Sequence, residues 1–572
     1  MQIVRRKTEL ADNLPSSLHP LLRQVLVRRN LVDATQLDLS AKQLAKPCLA
    51  DLDKAVVLLE KAIIALKKIV IVGDFDADGA TSTALTYSAL KQLGCRNIDF
   101  LVPNRFDYGY GLSEPLVDVA EQMGAQLIIT VDNGISCIGG VAKAKSLGID
   151  VIVTDHHLPG SQLPQADAII NPNRADCPFP SKAIAGVGVA FYLMLALRSH
   201  LREQGYFSQY QLKEPNFGEL LDLVALGTVA DVVPLDETNR ILVQQGINRI
   251  RQGYCRPGIK ALLDVAQKDH KQLVSSDFGF AIGPRLNAAG RLDDMSLGIS
   301  CLLAPDYTQA MHLASRLDEL NKERRAIESS MQIEALKTMD TIHLDNIPAG
   351  ICLFQDDWHQ GVIGILAGRI KERFHRPVVI FAEDNDEVLK GSCRSIPGFH
   401  IRDALEAIDS QFPDLIVKFG GHAMAAGLSI NKNRYEAFKS AFEQTVANLV
   451  QPHLLTNTIL SDGELQADDL TVEVADLLKK AMPWGQCFDA PVFDDVFMVA
   501  QEKLLQEKHV KFVLIHNSGL AVDAIWFNYN PKYWTLGKNT QIHAAFSLDV
   551  NHFRGKSQVQ LILQAGLEVD AH

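Results

Sequence analysis

The sequence predicts an α/β protein whose largest domain is a doubly wound parallel sheet. Two observations carry the prediction. Between about 54 and 300, short β-branched apolar runs alternate with stretches of helical pattern. The runs are apolar almost throughout rather than every second residue, as strands buried on both faces are.

The elements follow in chain order. The first 45 residues read as an appended helical arm. "KIVIV" (68–72), "IDFLV" (98–102), "QLIITV" (126–131), "DVIVT" (150–154) and "DAIIN" (167–171) read as strands, with helices such as 113–123 and 137–147 between them. This is repeated βαβ. From about 305 to 340, Leu317, Leu320, Ile327, Met331 and Leu336 recur at helical spacing, and no Gly or Pro stands between Tyr307 and Ile347. One long amphipathic connector helix is expected there. A second, smaller α/β block follows, with strands near 349–354 and 377–381. From about 457 the chain turns β-rich, with "FVLIH", "AVDAIWF", "QIHAAFSL" and "VQLILQA". The expected domains are a 1–48 arm, a 49–304 catalytic domain, a 305–342 connector helix, a 343–452 second α/β domain and a 453–572 β-rich domain.

Composition bounds the function. At about 150 residues per domain, 572 residues suggest three or four domains. Hydrophobic residues at 47% supply ample core material. No apolar run approaches the roughly 18 residues of a membrane span, and "MQIVRRKTEL" lacks an apolar leader segment. The nine cysteines are scattered with no CxxC pair. That argues for a reduced, cytoplasmic setting and against zinc ribbons or a disulfide framework. A formal net charge of −12 disfavours a protein that coats nucleic acid non-specifically, and is compatible with a local basic groove around an acidic metal centre.

Acids stand where strands end. The first strand runs into "VGDFDADGATS" (72–82), with Asp74, Asp76 and Asp78 alternating; the third runs into "VDNGIS", with Asp132; the fourth runs into "VTDHH", with Asp155, His156 and His157. In an open α/β sheet, ligands bind beyond the carboxyl ends of the strands, so these loops should converge. Close carboxylates repel each other unless cations intervene. Carboxylates with one or two imidazoles suit Mn²⁺ or Mg²⁺, and four or more carboxylates allow the two ions typical of phosphoester hydrolysis. Asp231 interrupts the apolar "ALGTVADVVPL" and is a fourth candidate; a helix cap is the alternative. Taken singly, Asp132 could be a turn former beside Asn133-Gly134, and His156-His157 a turn held by backbone hydrogen bonds. "DFDADG" lacks the terminal Glu of a calcium loop and the GKS/T of a phosphate-binding loop.

In their order and spacing, "GDFDADGATS", "VDNGIS", "VTDHH", "ALGTVADVVPL" and the later "FGGHAMAAGLSI" (419–430) resemble the DHH phosphoesterase family and, within it, the bacterial single-strand-specific exonucleases. The resemblance runs from about residue 50 to the C-terminal region. It implies a DHH domain, a DHH-associated substrate-binding domain and a C-terminal OB-like nucleic-acid-binding domain. It further implies two Mn²⁺ or Mg²⁺ ions held by Asp74, Asp76, Asp78, Asp132, His156 and Asp231, with Asp132 bridging, His157 near the scissile phosphate and Asp155 orienting an imidazole. The implied activity is 5′→3′ release of mononucleotides from single-stranded DNA in repair and recombination, by a monomer working with a helicase and a single-strand-binding protein.

Basic and glycine-rich segments supply candidate DNA contacts: Arg105, Arg285, Asn287, Arg291, Arg369, Ser392, Arg394, Ser395, Gly420, Gly421 and His422. Arginines and hydroxyls suit phosphate, and glycines admit a backbone closely. For each arginine a surface ion pair is the alternative. The resemblance implies that Arg105, Ser392 and Arg394 form a 5′-phosphate pocket that sets polarity. Trp526, Phe527, Tyr529, Tyr533 and Trp534 could stack bases or fill a core. Rival readings are a DHH hydrolase of short oligonucleotides, cyclic dinucleotides or pyrophosphate, a DNA-binding relative without metals, and an α/β enzyme with a nucleotide at the switch point. The presence of every candidate ligand argues against the second, and the missing GxGxxG and phosphate loop against the third.

Overall fold

The structure, a computed structural model, describes residues 1–7, 11–103, 111–340, 347–385, 387–506, 508–529, 534–537, 540–553 and 555–569. Arg105 and Tyr533 lie outside the described residues. The chain divides into two compact units: Arg5–Asp318 with Leu460–His572, and Met1–Val4 with Glu319–Ile459.

The first unit holds the expected parallel sheet. Its five strands lie in the order Ile98–Leu101, Ile69–Val72, Leu127–Val131, Asp150–Thr154, Ala168–Ile170, and all pairings are parallel. After Ile69–Val72 the chain first adds a strand on one side and then returns to add the rest on the other. The topological switch point therefore lies between Ile69–Val72 and Leu127–Val131, the strands that lead to Asp74 and Asp132. Both strands are buried along their full length. On one face, Val70, Val72, Ile128, Val151 and Val153 pack with Leu116, Val117 and Val141 from helices Glu114–Gln122 and Ile138–Ser146.

The same unit ends in a closed five-stranded barrel, in the order Phe493–Leu505, His509–Ile515, Ala521–Trp526, Lys556–Glu568, Gln541–Phe553. The N-terminal segment corrects the expectation of a helical arm. Its described part has one eight-residue α-helix, Pro20–Val27, with two 3₁₀ turns and a strand, Gln2–Arg5. Asp33 and Ser40 start short turns rather than a continued helix. The segment is tied to the C-terminal region: Arg29 makes a two-pronged pair with Asp462 at 3.0 and 2.9 Å, and Arg5 hydrogen-bonds Asp494 at 2.9 Å.

The long helix spans Tyr307–Asp340, and its Met331, Ala335 and Met339 join a core of the second unit. That unit carries a mixed sheet in the order Lys418–Gly421, Ala425–Asn431, Val388–Arg394, Val378–Asn385, Ile351–Phe354. No helix among the described residues is long and apolar enough to cross a membrane.

Candidate metal centre

The acids converge because each loop is locked to its neighbours. Asp76 caps the helix Ala77–Gln92, its Oδ1 accepting from Gly79 N at 2.9 Å. Asp78 is fully buried and accepts from Gly186 N at 2.7 Å and Val187 N at 2.9 Å, the first amides of helix Gly186–Glu203. A helix N-terminus favours the ionised carboxylate there. Asn133 donates to Val72 O at 3.0 Å and Val131 O at 2.9 Å, so its amide pins the two central strand ends together. Asp155 accepts from Ile135 N (2.9 Å), His156 N (2.7 Å) and His157 N (3.0 Å), and lies 2.7 Å from His157 Nδ1. One carboxylate thereby fixes the two histidines against the Asp132 loop.

The result is a compact donor cluster. His156 Nε2 lies 3.2 Å from Asp132 Oδ1 and 3.4 Å from Asp231 Oδ2. Three overlapping triads each have donor atoms within 4.8 Å of one another: Asp132–His156–His157, Asp78–His156–Asp231 and Asp74–Asp76–Asp132. The last two share no residue, so they outline two positions side by side. Asp231 directly follows helix Leu221–Ala230, its backbone N–H donating to Gly227 O at 2.9 Å, and its carboxylate goes to the cluster rather than to a helix N-terminus.

Two strained residues sit here. Asp132 has φ 61° and Val232, directly after Asp231, has φ 63°. A side chain in the left-handed region costs on the order of 1–3 kcal/mol and is rare for a β-branched residue. Two glycines make room. A Cβ on Gly186 would lie 2.6 Å from Asp132 Oδ1, and one on Gly227 would lie 2.8 Å from Asp78 Oδ1. Gly186, Gly227 and Asn133 were not singled out from the sequence. The only signal for the glycines was their position inside apolar runs, "AIAGVGVA" and "ALGTVA".

The electrostatics describe a site short of positive charge. Burial, then Asp76, pushes the Asp78 carboxyl up to about 7 against the pull of the Val187 and Gly186 amides. Asp132 is raised well above the usual carboxylate range by burial and by Asp78, Asp76, Asp231 and Asp74; Asp231 is raised by burial and by Asp78, Asp76 and Asp74. His157 resists its own burial and rises to about 9 through the hydrogen bond and charge of Asp155, helped by Asp74 and Asp76. Oxygen donors with imidazole are the set that hard divalent cations take. Cations would relieve the repulsion that raises these groups. The residues therefore fit Mn²⁺ or Mg²⁺.

The expected DNA contacts divide. Asn287 is committed to the acid loop, its Oδ1 accepting from Ala77 N at 2.8 Å. Arg285 is a strut: Nε and Nη2 pair with Asp318 at 2.9 and 2.8 Å, and Nη1 donates to Ala281 O at 2.6 Å. Arg291 is half-buried on the same helix, Gly283–Leu292. In the second unit, Arg369 pairs with Glu328 at 2.9 Å and Glu372 at 3.4 Å, the ion-pair alternative. Ser395 departs from the expectation, because its hydroxyl is buried and donates to Phe399 O at 2.6 Å. Arg394 is different. It donates to Cys393 O at 2.8 Å and lies 3.4 Å from Ser392 Oγ, with no carboxylate partner among the described residues. A Cβ on Gly364, at the start of helix Ile363–Phe374, would lie 3.1 Å from Arg394 Nη2 and 3.0 Å from Ser392 Oγ.

Gly420 and His422 are exposed. Gly421 has a packing reason that the sequence did not reveal: φ is 138° and a Cβ would lie 2.5 Å from Ala426 Cα across the hairpin. Among the C-terminal aromatics, Trp526 and Trp534 are core residues, whereas Phe527 is half exposed.

Residues 68–228 match the DHH family N-terminal domain, 346–448 the DHHA1 domain and 461–565 the RecJ OB domain. The chain is 53% identical over 567 residues to the single-stranded-DNA-specific exonuclease RecJ of Escherichia coli K12, covering 98% of both chains. Its fold is similar to that of RecJ from Thermus thermophilus in complex with Mn²⁺, with TM-score 0.80 and 27% identity over 100% of this chain and 80% of the other. The Mg²⁺ complex of the same protein gives 0.75 and 26% over 100% and 79%.

Proposed function

The chain belongs to the RecJ family of single-stranded-DNA-specific exonucleases, and from that premise we propose that it degrades single-stranded DNA 5′→3′ to mononucleotides, in repair and recombination. It is a metal-dependent hydrolase of phosphodiesters acting on single-stranded DNA. The observation that carries the site assignment is the pair of disjoint triads, Asp78–His156–Asp231 and Asp74–Asp76–Asp132.

Asp74, Asp76, Asp78, Asp132, His156 and Asp231 would hold two ions, with Asp132 between them. The chemistry such ions supply is acidification of a water nucleophile and neutralisation of charge on the phosphoryl and leaving 3′ oxygens. The chain's own groups do the rest. Asp155 holds both histidines in place, which supports His156 as a ligand and His157 as a hydrogen-bond donor to the scissile phosphate. His157 Nδ1 faces Asp155 at 2.7 Å, which leaves Nε2 to donate a hydrogen bond to a phosphate oxygen. In the second unit, Arg394 and Ser392 form the anion-seeking pair that we assign to the 5′ phosphate, and so to polarity. Arg291, Gly420, Gly421 and His422 are assigned to the path of the strand. The resemblance adds a helicase and a single-strand-binding protein as partners, a monomeric state and a cytoplasmic location.

The test is a long single strand labelled at its 3′ end, incubated with Mn²⁺ beside the blunt duplex and an Asp132→Ala variant. Shortening from the 5′ end, absent with duplex and variant, is expected. Hydrolysis of dinucleotides or pyrophosphate alone would keep the metal chemistry and discard the exonuclease reading.

A further inference from the structure

We propose that Phe280 is a stacking platform for an unpaired base at the edge of the metal centre, a positioning residue that holds the strand while it is cut. The inference rests on the single-strand exonuclease reading above and adds a residue to it.

Phe280 is 81% exposed, more than any other large hydrophobic residue among those described. It lies in the middle of one turn of π-helix, Phe278–Ile282, whose Phe278, Ala281 and Ile282 are all buried. A π-turn inserts an extra residue into a helical run, and such turns concentrate at functional sites. Here the inserted phase turns one aromatic ring outward while its neighbours stay in the core.

The turn is also fixed to the metal centre from both sides. Toward Asp231, a Cβ on Gly283 would lie 3.2 Å from Ala230 Cβ, and one on Gly279 would lie 3.7 Å from Val229 Cγ1. The turn therefore packs on the last turn of the helix that delivers Asp231. Toward the acid loop, the helix that follows places Asn287 on Ala77 N and Gly290 against Phe75 O. Arg285 locks the turn itself: while paired with Asp318 it donates to Ala281 O, the carbonyl next to Phe280. A fixed backbone with an exposed ring suits an aromatic platform, because only the ring's own two torsions are left to be ordered when a base lands on it. Every base has a flat face, so stacking tolerates any sequence. A base inside a duplex already has neighbours on both faces, so the platform favours an unpaired strand.

The test compares wild type, Phe280→Ala and Phe280→Trp on two strands of equal length in Mn²⁺. One carries bases throughout; the other carries abasic tetrahydrofuran residues over its 5′ half. Melting temperature and bound Mn²⁺ are measured for each protein. Phe280→Ala should raise KM about tenfold on the base-bearing strand, the scale of one lost base–aromatic stack, with a smaller effect on kcat. Phe280→Trp should restore the wild-type KM. On the abasic strand, wild type and Phe280→Ala should converge. An unchanged KM for Phe280→Ala on the base-bearing strand, or an equal loss on the abasic strand, would overturn the stacking role and leave the exonuclease reading intact. Lost Mn²⁺ or a lowered melting temperature in Phe280→Ala would assign the ring to structure instead. Failure of the wild type to cut either strand would remove the exonuclease reading itself, and this role with it.

Discussion

Two regions of the first unit bury carboxylates, and they treat them in opposite ways. In the C-terminal region, Asp462 is nearly inaccessible and is met by the equally buried Arg29 in a two-pronged pair. Asp494 is buried too, yet hydrogen bonds from His543, Arg5 and Ser461 outweigh its burial and hold it well below the usual carboxylate range. At the ends of the parallel strands, Asp78, Asp132 and Asp231 face one another, and burial with mutual repulsion drives all three up. The chain supplies the counter-charge in one place and leaves it to ions from outside in the other. Buried acid alone does not mark a metal site; buried acid facing acid does.

The comparison can be broken from either side. The largest effect should come from Asp132→Ala. Removing the acid common to two triads should lower cleavage of single-stranded DNA by at least about 10³-fold while the chain still folds, as loss of transition-state charge stabilisation does. A steady-state assay in Mn²⁺ checks it. Next, Arg29→Ala should leave the buried Asp462 with only the Val492 amide at 3.1 Å and the more distant Arg6 Nε at 3.9 Å, and cost up to about 3–5 kcal/mol of stability, read by denaturant unfolding, while bound Mn²⁺ stays at the wild-type level. A third effect separates the second unit. Arg394→Ala should raise KM roughly tenfold for a 5′-phosphorylated strand and little for a 5′-hydroxyl strand, the scale of a lost charge-assisted hydrogen bond.

The smallest effect is a pH dependence whose sign differs between the regions. Asp78 titrates near 7 when folded and near 3.9 when unfolded, so between those values the folded, metal-free protein binds the extra proton. Its contribution to stability is therefore lost as pH rises toward 7. Asp494 is lowered by folding, so its contribution is present above about 3.9 and lost as pH falls. The gain in melting temperature on adding Mn²⁺ to chelator-treated protein should accordingly grow between pH 5.5 and 7.5, by differential scanning. A gain that shrinks over that range would contradict the assignment.

Much of this was legible in the sequence. The strands Ile69–Val72, Leu127–Val131 and Asp150–Thr154 were readable because strands buried on both faces leave uninterrupted apolar runs. The acids at their ends were readable because an α/β sheet gathers its loops at one edge. What the sequence hid was packing at a distance. Nothing local says that Gly186 must lack a Cβ because Asp132 lies behind it, or that Arg285 and Asn287 are spent on Asp318 and Ala77 rather than on phosphate. The N-terminal segment departs from its local pattern for the same reason, since its arginines answer carboxylates more than 400 positions away in the chain.

The most direct measurement is a count of Mn²⁺ bound at equilibrium by wild type, Asp132→Ala and Arg29→Ala at pH 7.5, with circular dichroism checking that each is folded. The account predicts two ions per chain in wild type and in Arg29→Ala, and at most one, weakly held, in Asp132→Ala. Retention of both ions by Asp132→Ala, or no bound ion in wild type, would contradict it.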